Sequence, residues 1–344
     1  MITSTRPSRS KPALRPSKST PFHAGQLPEL NFAHLNSMTD TTGIVQFAQV
    51  AEPKPEAGYS FDDNSTGLLL AVRACKNKKN QVAYRLLPIY LEFMRQMQMD
   101  NGYFRNLYTD AKTGQEERGS EIAFGRALMA LGFLVNEGPT HLLMKTGLGI
   151  FSKAYSHIDK LVSLHSVASA IIGVCQVIKY NYPDDSRQDM VINLSNKLVN
   201  SYKENKKADW QWFEPKLATD NALLPLALLN AYEITQDEGY LDVALESIKF
   251  LESRQSDTGR EVMSMILFYQ QAFRVTREQQ YQNRMYQRYQ WFLGDNSLGR
   301  KLYDPSTGGC TDGSQAKGKG LNQGAESTLT YWISHLAVAS ALAE

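Results

Sequence analysis

Cysteine is scarce in this chain: Cys75, Cys175 and Cys310 are all that 344 residues contain. An odd, scattered set supports neither a disulfide framework nor a Cys-based metal site, and a reducing, cytoplasmic setting is the simplest reading. Histidine is also thin, with six residues at 23, 34, 141, 157, 165 and 335 and no HExxH or other ligand spacing. No metal site and no cofactor is therefore expected. Neither GxGxxG after a strand nor GxxxxGK[ST] occurs, which argues against nucleotide binding of the common kinds. Gly308-Gly-Cys310 is not a redox motif, and no Ser or Cys stands in the setting of a nucleophile. No run of about 18 apolar residues exists, so no membrane span is expected, and the N-terminus lacks the apolar core of a secretory signal. A formal net charge of +2 gives no general drive toward nucleic acid or anionic membranes.

Basic residues do gather at the start, where Arg6, Arg9, Lys11, Arg15 and Lys18 precede the first acid, Glu29. With Pro and Ser between them, residues 1–28 read as a disordered basic tail, and 29–344 as the folded domain. Alternating strand pairs joined by Asn-Gly or Asp-Gly are missing from that domain. It contains helices of two kinds instead. Gln81 to Met99, Thr140 to Leu161, Ser186 to Asn205, Tyr240 to Arg254 and Arg277 to Phe292 are long and amphipathic, as solvent-facing helices should be, and a short amphipathic helix over Leu30 to Met38 precedes them.

Interleaved with these are Ser65 to Lys76, Ser120 to Val135, Ser163 to Lys179, Asn221 to Thr235, Glu261 to Thr276 and Gln323 to Ala343. Stretches such as Ala168-Ser-Ala-Ile-Ile-Gly173 and Leu223-Leu-Pro-Leu-Ala-Leu-Leu229 make them apolar nearly all round, which is the mark of a buried helix. The alternation repeats at about 50 residues, which predicts an all-α (α/α)6 toroid of six inner and six outer helices, with a helical-repeat solenoid as the competitor.

In a toroid all six inner helices begin at one rim, and the unusual residues precede or open those helices. Asp62-Asp-Asn64 comes before the first, and Phe104-Arg-Asn106 and Ser120-Glu121 before the second. Trp210-Gln-Trp-Phe-Glu214 and Asp220-Asn221 lead into the fourth, and the Gly-rich stretch from Leu302 through Tyr303, Asp304 and Asp312 to Asn322, Gln323 and Glu326 leads into the last. Aromatic faces stack on the C–H surfaces of sugars, and Asp, Asn, Gln and Arg hydrogen-bond their hydroxyls. An Asp or Asn that opens a helix is also a natural N-cap, Trp212 and its neighbours could simply pack under a loop, and Arg105 could simply pair with a carboxylate. Glu326 lies one turn into an apolar helix, where a carboxylate costs several kcal/mol unless it is paired or hydrogen-bonded.

These residues carry a resemblance. Gly58-Tyr-Ser-Phe-Asp-Asp-Asn64, Phe104-Arg-Asn106, Gly119-Ser-Glu121 with Gly125-Arg-Ala127, Trp210 to Glu214 with Asp220-Asn-Ala-Leu-Leu-Pro225, Trp291-Phe-Leu-Gly294 and Asn322-Gln-Gly-Ala-Glu-Ser-Thr328 occur as a set in this order. As a set they resemble bacterial six-hairpin glycosidase-like toroids that lie beside, or are fused behind, family-4-type glycosyltransferases in polysaccharide gene clusters. The resemblance implies a toroid with an oligo- or polysaccharide ligand and a glycosyltransferase as partner. The chain departs from the family pattern at Ser65-Thr-Gly67, where an Arg-containing run is usual, at Ile122, where a second acid is common, at Thr258-Gly-Arg260, and at Phe47, where His is common.

The expected function is glycosidic-bond cleavage by two rim carboxylates, an acid protonating the leaving oxygen and a base activating water. Asp63 and Glu326 are the expected pair, with Glu214, Asp62, Glu121 and Asp304 as alternates. Asn64, Arg105, Asn106, Trp212, Asp220, Asn221, Tyr303, Asp312, Asn322 and Gln323 are expected to position sugar. A non-catalytic glycan-binding or scaffolding module acting with a glycosyltransferase is the alternative. A sugar epimerase stands third, because it would need two His facing each other at the rim and only His165 is placed for that.

Overall fold

A computed structural model of the chain describes residues 27–76, 80–108, 118–180, 183–254, 258–312 and 320–343. Most of the basic tail, residues 1–26, lies outside the described residues. Twelve α-helices are present among the described residues: α1 (Ala33–Ser37), α2 (Phe61–Cys75), α3 (Gln81–Met97), α4 (Glu121–Glu137), α5 (His141–Tyr155), α6 (Leu164–Tyr180), α7 (Asp185–Asn205), α8 (Leu223–Thr235), α9 (Glu238–Glu252), α10 (Gly259–Thr276), α11 (Gln279–Tyr289) and α12 (Ala325–Ala343). The even-numbered helices pack in the order α2, α4, α6, α8, α10, α12 and back to α2, which closes a ring. Helices α3, α5, α7, α9 and α11 lie against that ring from outside, and the short α1 touches α12.

Burial follows the two kinds of sequence. Every residue of α6 from His165 to Ile178 is buried, because α4, α7 and α8 enclose it. By contrast α5 buries only Gly147, Ile150, Phe151 and Ala154, one stripe at helical spacing. The helix starts are set by ordinary caps: the side chains of Asn80, Ser120, Thr140 and Thr258 accept from backbone N–H groups of the helices they open.

At α2 the structure departs from the expected boundary. Ser60 caps this helix by accepting the Asp63 N–H, so Asp62-Asp63-Asn64 stand inside the first turn rather than in the loop before it. A Ser three residues before an acid is itself an N-terminal signal, and it outranks the acids that follow. Two small antiparallel ribbons also occur, β1 (Ala48–Gln49) with β2 (Glu52–Pro53) and β3 (Tyr59–Ser60) with β4 (Leu107–Tyr108). At two residues a strand is too short for alternation to show in sequence.

Candidate active site

The first turns of the inner helices bring their charges together at one rim. Asp62 of α2 pairs with Arg126 of α4 at 2.5 Å, and the same guanidinium reaches Asp220, just before α8, at 3.3 Å. Arg260 of α10 stands 3.6 Å from Asp62 and donates through Nε to Glu326 of α12 at 3.1 Å. Three carboxylates from three parts of the chain are thus bridged by two arginines. Arg260 is only 7% exposed, and a cation so far from water requires such partners. Asp220 adopts φ +62°, a left-handed conformation that a short polar side chain tolerates better than most, and does not serve as the cap of α8. Its Oδ1 and that of Asp62 are buried without a partner among the described residues, leaving two acceptors for a donor.

Beside this network opens a cleft of ≈ 520 Å³ whose lining includes Phe47, Asp63, Arg260, Trp291, Asp312 and Glu326. That volume lies within the range of small-molecule sites. Asp63 is 5% exposed, and burial together with the neighbouring Asp62 charge pushes its carboxyl up to about 7. Burial also acts on Glu326, but Arg260 and Arg126 overcome it and hold that carboxyl below its ordinary value. On the acid side of pH 7 one acid of the cleft thus keeps its proton while another is ionised. The Trp291 indole Nε1 is buried with no partner among the described residues, and Phe47 is 44% exposed, so two aromatic side chains with unused capacity face the same space.

The other expected residues are placed as follows. Asp312 lines the cleft and accepts from the Ser327 hydroxyl at 2.5 Å. Asn64 donates to the carbonyls of Ile44 and Ser60 and accepts the Ile44 N–H, so its amide ties the N-terminal segment to α2 instead of facing a ligand. Trp212 is wholly buried against Phe213 and Phe250, and its face is unavailable to a sugar. Asn221 bonds both backbone groups of Ala218 and the Glu261 carboxylate. Glu121 accepts the N–H groups of Val162 and Ser163 and so fixes the entrance to α6.

The remaining residues lie in the last loop and at two other entrances. Asp304 takes the Ser306 N–H and hydroxyl, and Gln323 bridges Asp304 to Thr307. Asn322 accepts the Val50 N–H, and Tyr303 stacks on Tyr331 at 4.3 Å. Arg105 donates to the Gln96 carbonyl at 3.5 Å, Asn106 is exposed, and Glu214 is half-buried with Oε2 unpartnered among the described residues. Arg126 and Arg260, which organise the rim, had no assigned role in the sequence. A buried-helix pattern interrupted by a single Arg in its first turns was the available signal.

No family model matches the chain, and no curated protein matches it. Solved structures do. The chain is similar to the cellobiose 2-epimerase of Bacillus thermoamylovorans at 10% identity, with 89% of this chain and 94% of that one covered and a TM-score of 0.69. It is similar to an α-1,6-mannanase of Salegentibacter, a variant inactive through two aspartate replacements and bound to α-1,6-mannotetrose, at 10% identity over 90% and 96% with a TM-score of 0.63. It is also similar to the cellulase Cel9M of C. cellulolyticum in complex with cellobiose, at 9% identity over 87% and 88% with a TM-score of 0.61.

The fold is the six-hairpin glycosidase-like (α/α)6 toroid. At these identities the likeness establishes the fold alone. Within the toroid His165 opens α6 at the rim, while His335 lines a cavity at the other end and bonds the Tyr289 hydroxyl. Burial pushes His335 down to about 4, so it is neutral near pH 7. No group of His, Cys, Asp and Glu among the described residues is arranged to hold a metal ion, and no helix among them is long and apolar enough to cross a membrane.

Proposed function

We propose that this toroid cleaves a glycosidic bond in an oligo- or polysaccharide, with Asp63 as general acid and Glu326 as general base. The observation that carries the reading is the presence in one cleft of two carboxyls whose surroundings drive their protonation apart. The Asp63 proton goes to the glycosidic oxygen as its bond to the anomeric carbon breaks. Glu326 takes a proton from the water whose oxygen forms the new bond to that carbon. Phe47 and Trp291 supply apolar faces, and the carboxylate of Asp312 in the same lining suits sugar hydroxyl donors. Both arginines are already engaged by carboxylates, which favours a neutral sugar over an acidic one. The inactive mannanase offers a chemical parallel, since two adjacent aspartates are replaced in it and Asp63, which follows Asp62 in the chain, lines this cleft. Partnership with a glycosyltransferase and a cytoplasmic setting rest on the sequence resemblance and the cysteine usage, and belong to the same proposal.

Asp63→Asn and Glu326→Gln test the assignment on a panel of gluco- and manno-oligosaccharides. Each should lower kcat by at least about 100-fold while calorimetry still detects binding. Unchanged turnover in both variants would sink the assignment. Binding by the unaltered protein with no product would favour the glycan-binding module, the reading that the departures at Ser65, Ile122 and Phe47 support. The separation of His165 from His335 counts against an epimerase.

A further inference from the structure

The toroid has a second mouth. At the carboxyl ends of the inner helices lies a cavity of ≈ 490 Å³, to whose wall all six contribute. Leu69, Met129 and Leu267 line this cavity and also a space of only ≈ 20 Å³ beneath the Arg126–Asp220 pair, so they form a floor between the two ends of the molecule. Above that floor the wall combines apolar side chains, Phe133, Ile172, Leu226 and Leu336 among them, with the neutral polar groups of Gln176, Asn230, Gln270, Gln271 and Ser340.

The charges at this mouth are unbalanced. Arg73, Lys76 and Arg274 line it with Glu137, the one carboxylate in the lining, and Glu137 already pairs with Lys76 at 2.8 Å. Arg73 and Arg274 form no ion pair among the described residues. Arg73 lies over the Phe133 ring at 4.8 Å and donates weakly to Gln270 at 3.5 Å, and its Nε is buried with no partner among the described residues. Arginines in the last turns of helices commonly donate to the terminal carbonyls, and neither Arg73 in α2 nor Arg274 in α10 does so among the described residues. His335, the remaining basic residue of the lining, is neutral near pH 7.

We propose that this cavity binds a single-chain amphiphile with an anionic head, the head on Arg73 and Arg274 and the chain along the apolar side chains of the wall toward Leu69 and Leu267. A guanidinium with an unused buried N–H is a strong donor to a carboxylate or phosphate oxygen, and the apolar side chains of Leu69, Phe133, Leu226, Leu267 and Leu336 reward a hydrocarbon chain beyond it. Two occupants fit less well. A cationic amphiphile would meet two arginines that form no ion pair among the described residues, and an oligosaccharide would leave those hydroxyls that face Leu69, Phe133, Leu226 and Leu267 without partners.

The test is calorimetry on the full chain with decanoate, decyl phosphate, decanol and decyltrimethylammonium, all kept below their micellar concentrations. Decanoate and decyl phosphate should bind at one site per chain, decanol at least ten-fold more weakly, and the cation not at all. Arg73→Gln and Arg274→Gln should each weaken decanoate binding about ten-fold or more, and Arg73→Lys should restore part of it. Leu226→Trp, which fills the cavity without touching charge, should abolish it. Circular dichroism would confirm that each variant keeps its helix content. Equal binding of the anionic and cationic probes, or binding unaffected by both arginine variants, would overturn the proposal. None of these outcomes depends on whether the Asp63 cleft is active, since turnover by Arg73→Gln should equal that of the unaltered protein.

Discussion

Asp63 shows how one residue's surroundings assign its chemistry. Four carboxylates and two arginines crowd the rim, yet the arginines between them engage Asp62, Asp220 and Glu326, and Asp63 is left buried beside a like charge. A raised carboxyl has a definite pH signature. As a general acid it must be protonated, so kcat/KM should fall as pH rises through about 7, and it should also fall on the acid side as Glu326 becomes protonated below its ordinary value. A rate profile flat from pH 5 to 9 would contradict the role of Asp63. Stability moves in the same window. Because the folded state prefers the neutral form, the contribution of Asp63 is most favourable below its unfolded value of 3.8 and is lost, at up to about 1.4 kcal/mol per pH unit, until pH reaches about 7. Asp63→Asn should therefore raise the melting temperature at pH 8 and leave it nearly unchanged at pH 4. An equal change at both would place the carboxyl at an ordinary value.

Among the elements, α4 and α6 make the closest approach in the ring, and glycine is the reason. A Cβ on Gly132 would lie 2.3 Å from the Gly173 carbonyl oxygen, and one on Gly173 would lie 2.3 Å from that of Leu128. Backbone cannot yield as a flexible side chain does, so Gly173→Ala should push the helices apart and cost about 3 kcal/mol or more. Urea denaturation measures this, and an unshifted midpoint would mean that the helices can part freely. Other elements are joined by polar side chains that from sequence could equally have faced a ligand. Glu261 of α10 is fully buried and accepts from the Asn221 side chain and the N–H groups of Asn221 and Ala222, holding the start of α8. Asn64, Glu121, Asn322 and Gln323 do comparable work at other entrances. Their residue types are those of a sugar site. What separates them from Asp63 and Glu326 is which neighbouring backbone happens to lie within reach.

For the whole molecule, closure is the decisive event. Helix α12 packs on α10 and on α2, the last inner helix against the first, and it also carries Glu326 to Arg260. A chain ending at residue 324 should lose its cooperative melt and associate, because the apolar faces of α2 and α10 would open to water. Size-exclusion chromatography and thermal unfolding check this, and a monomer with a sharp transition would show that the ring needs no closing helix. The sequence by itself determined the two classes of helix, their order and the rim on which the inner ones begin, since burial on all sides leaves a mark at every position of a helix. Only the tertiary structure decided which polar residues face the cleft. That choice depends on contacts between residues such as Asp62, Arg126, Asp220, Arg260 and Glu326, up to 198 positions apart for Asp62 and Arg260, and no local pattern records them.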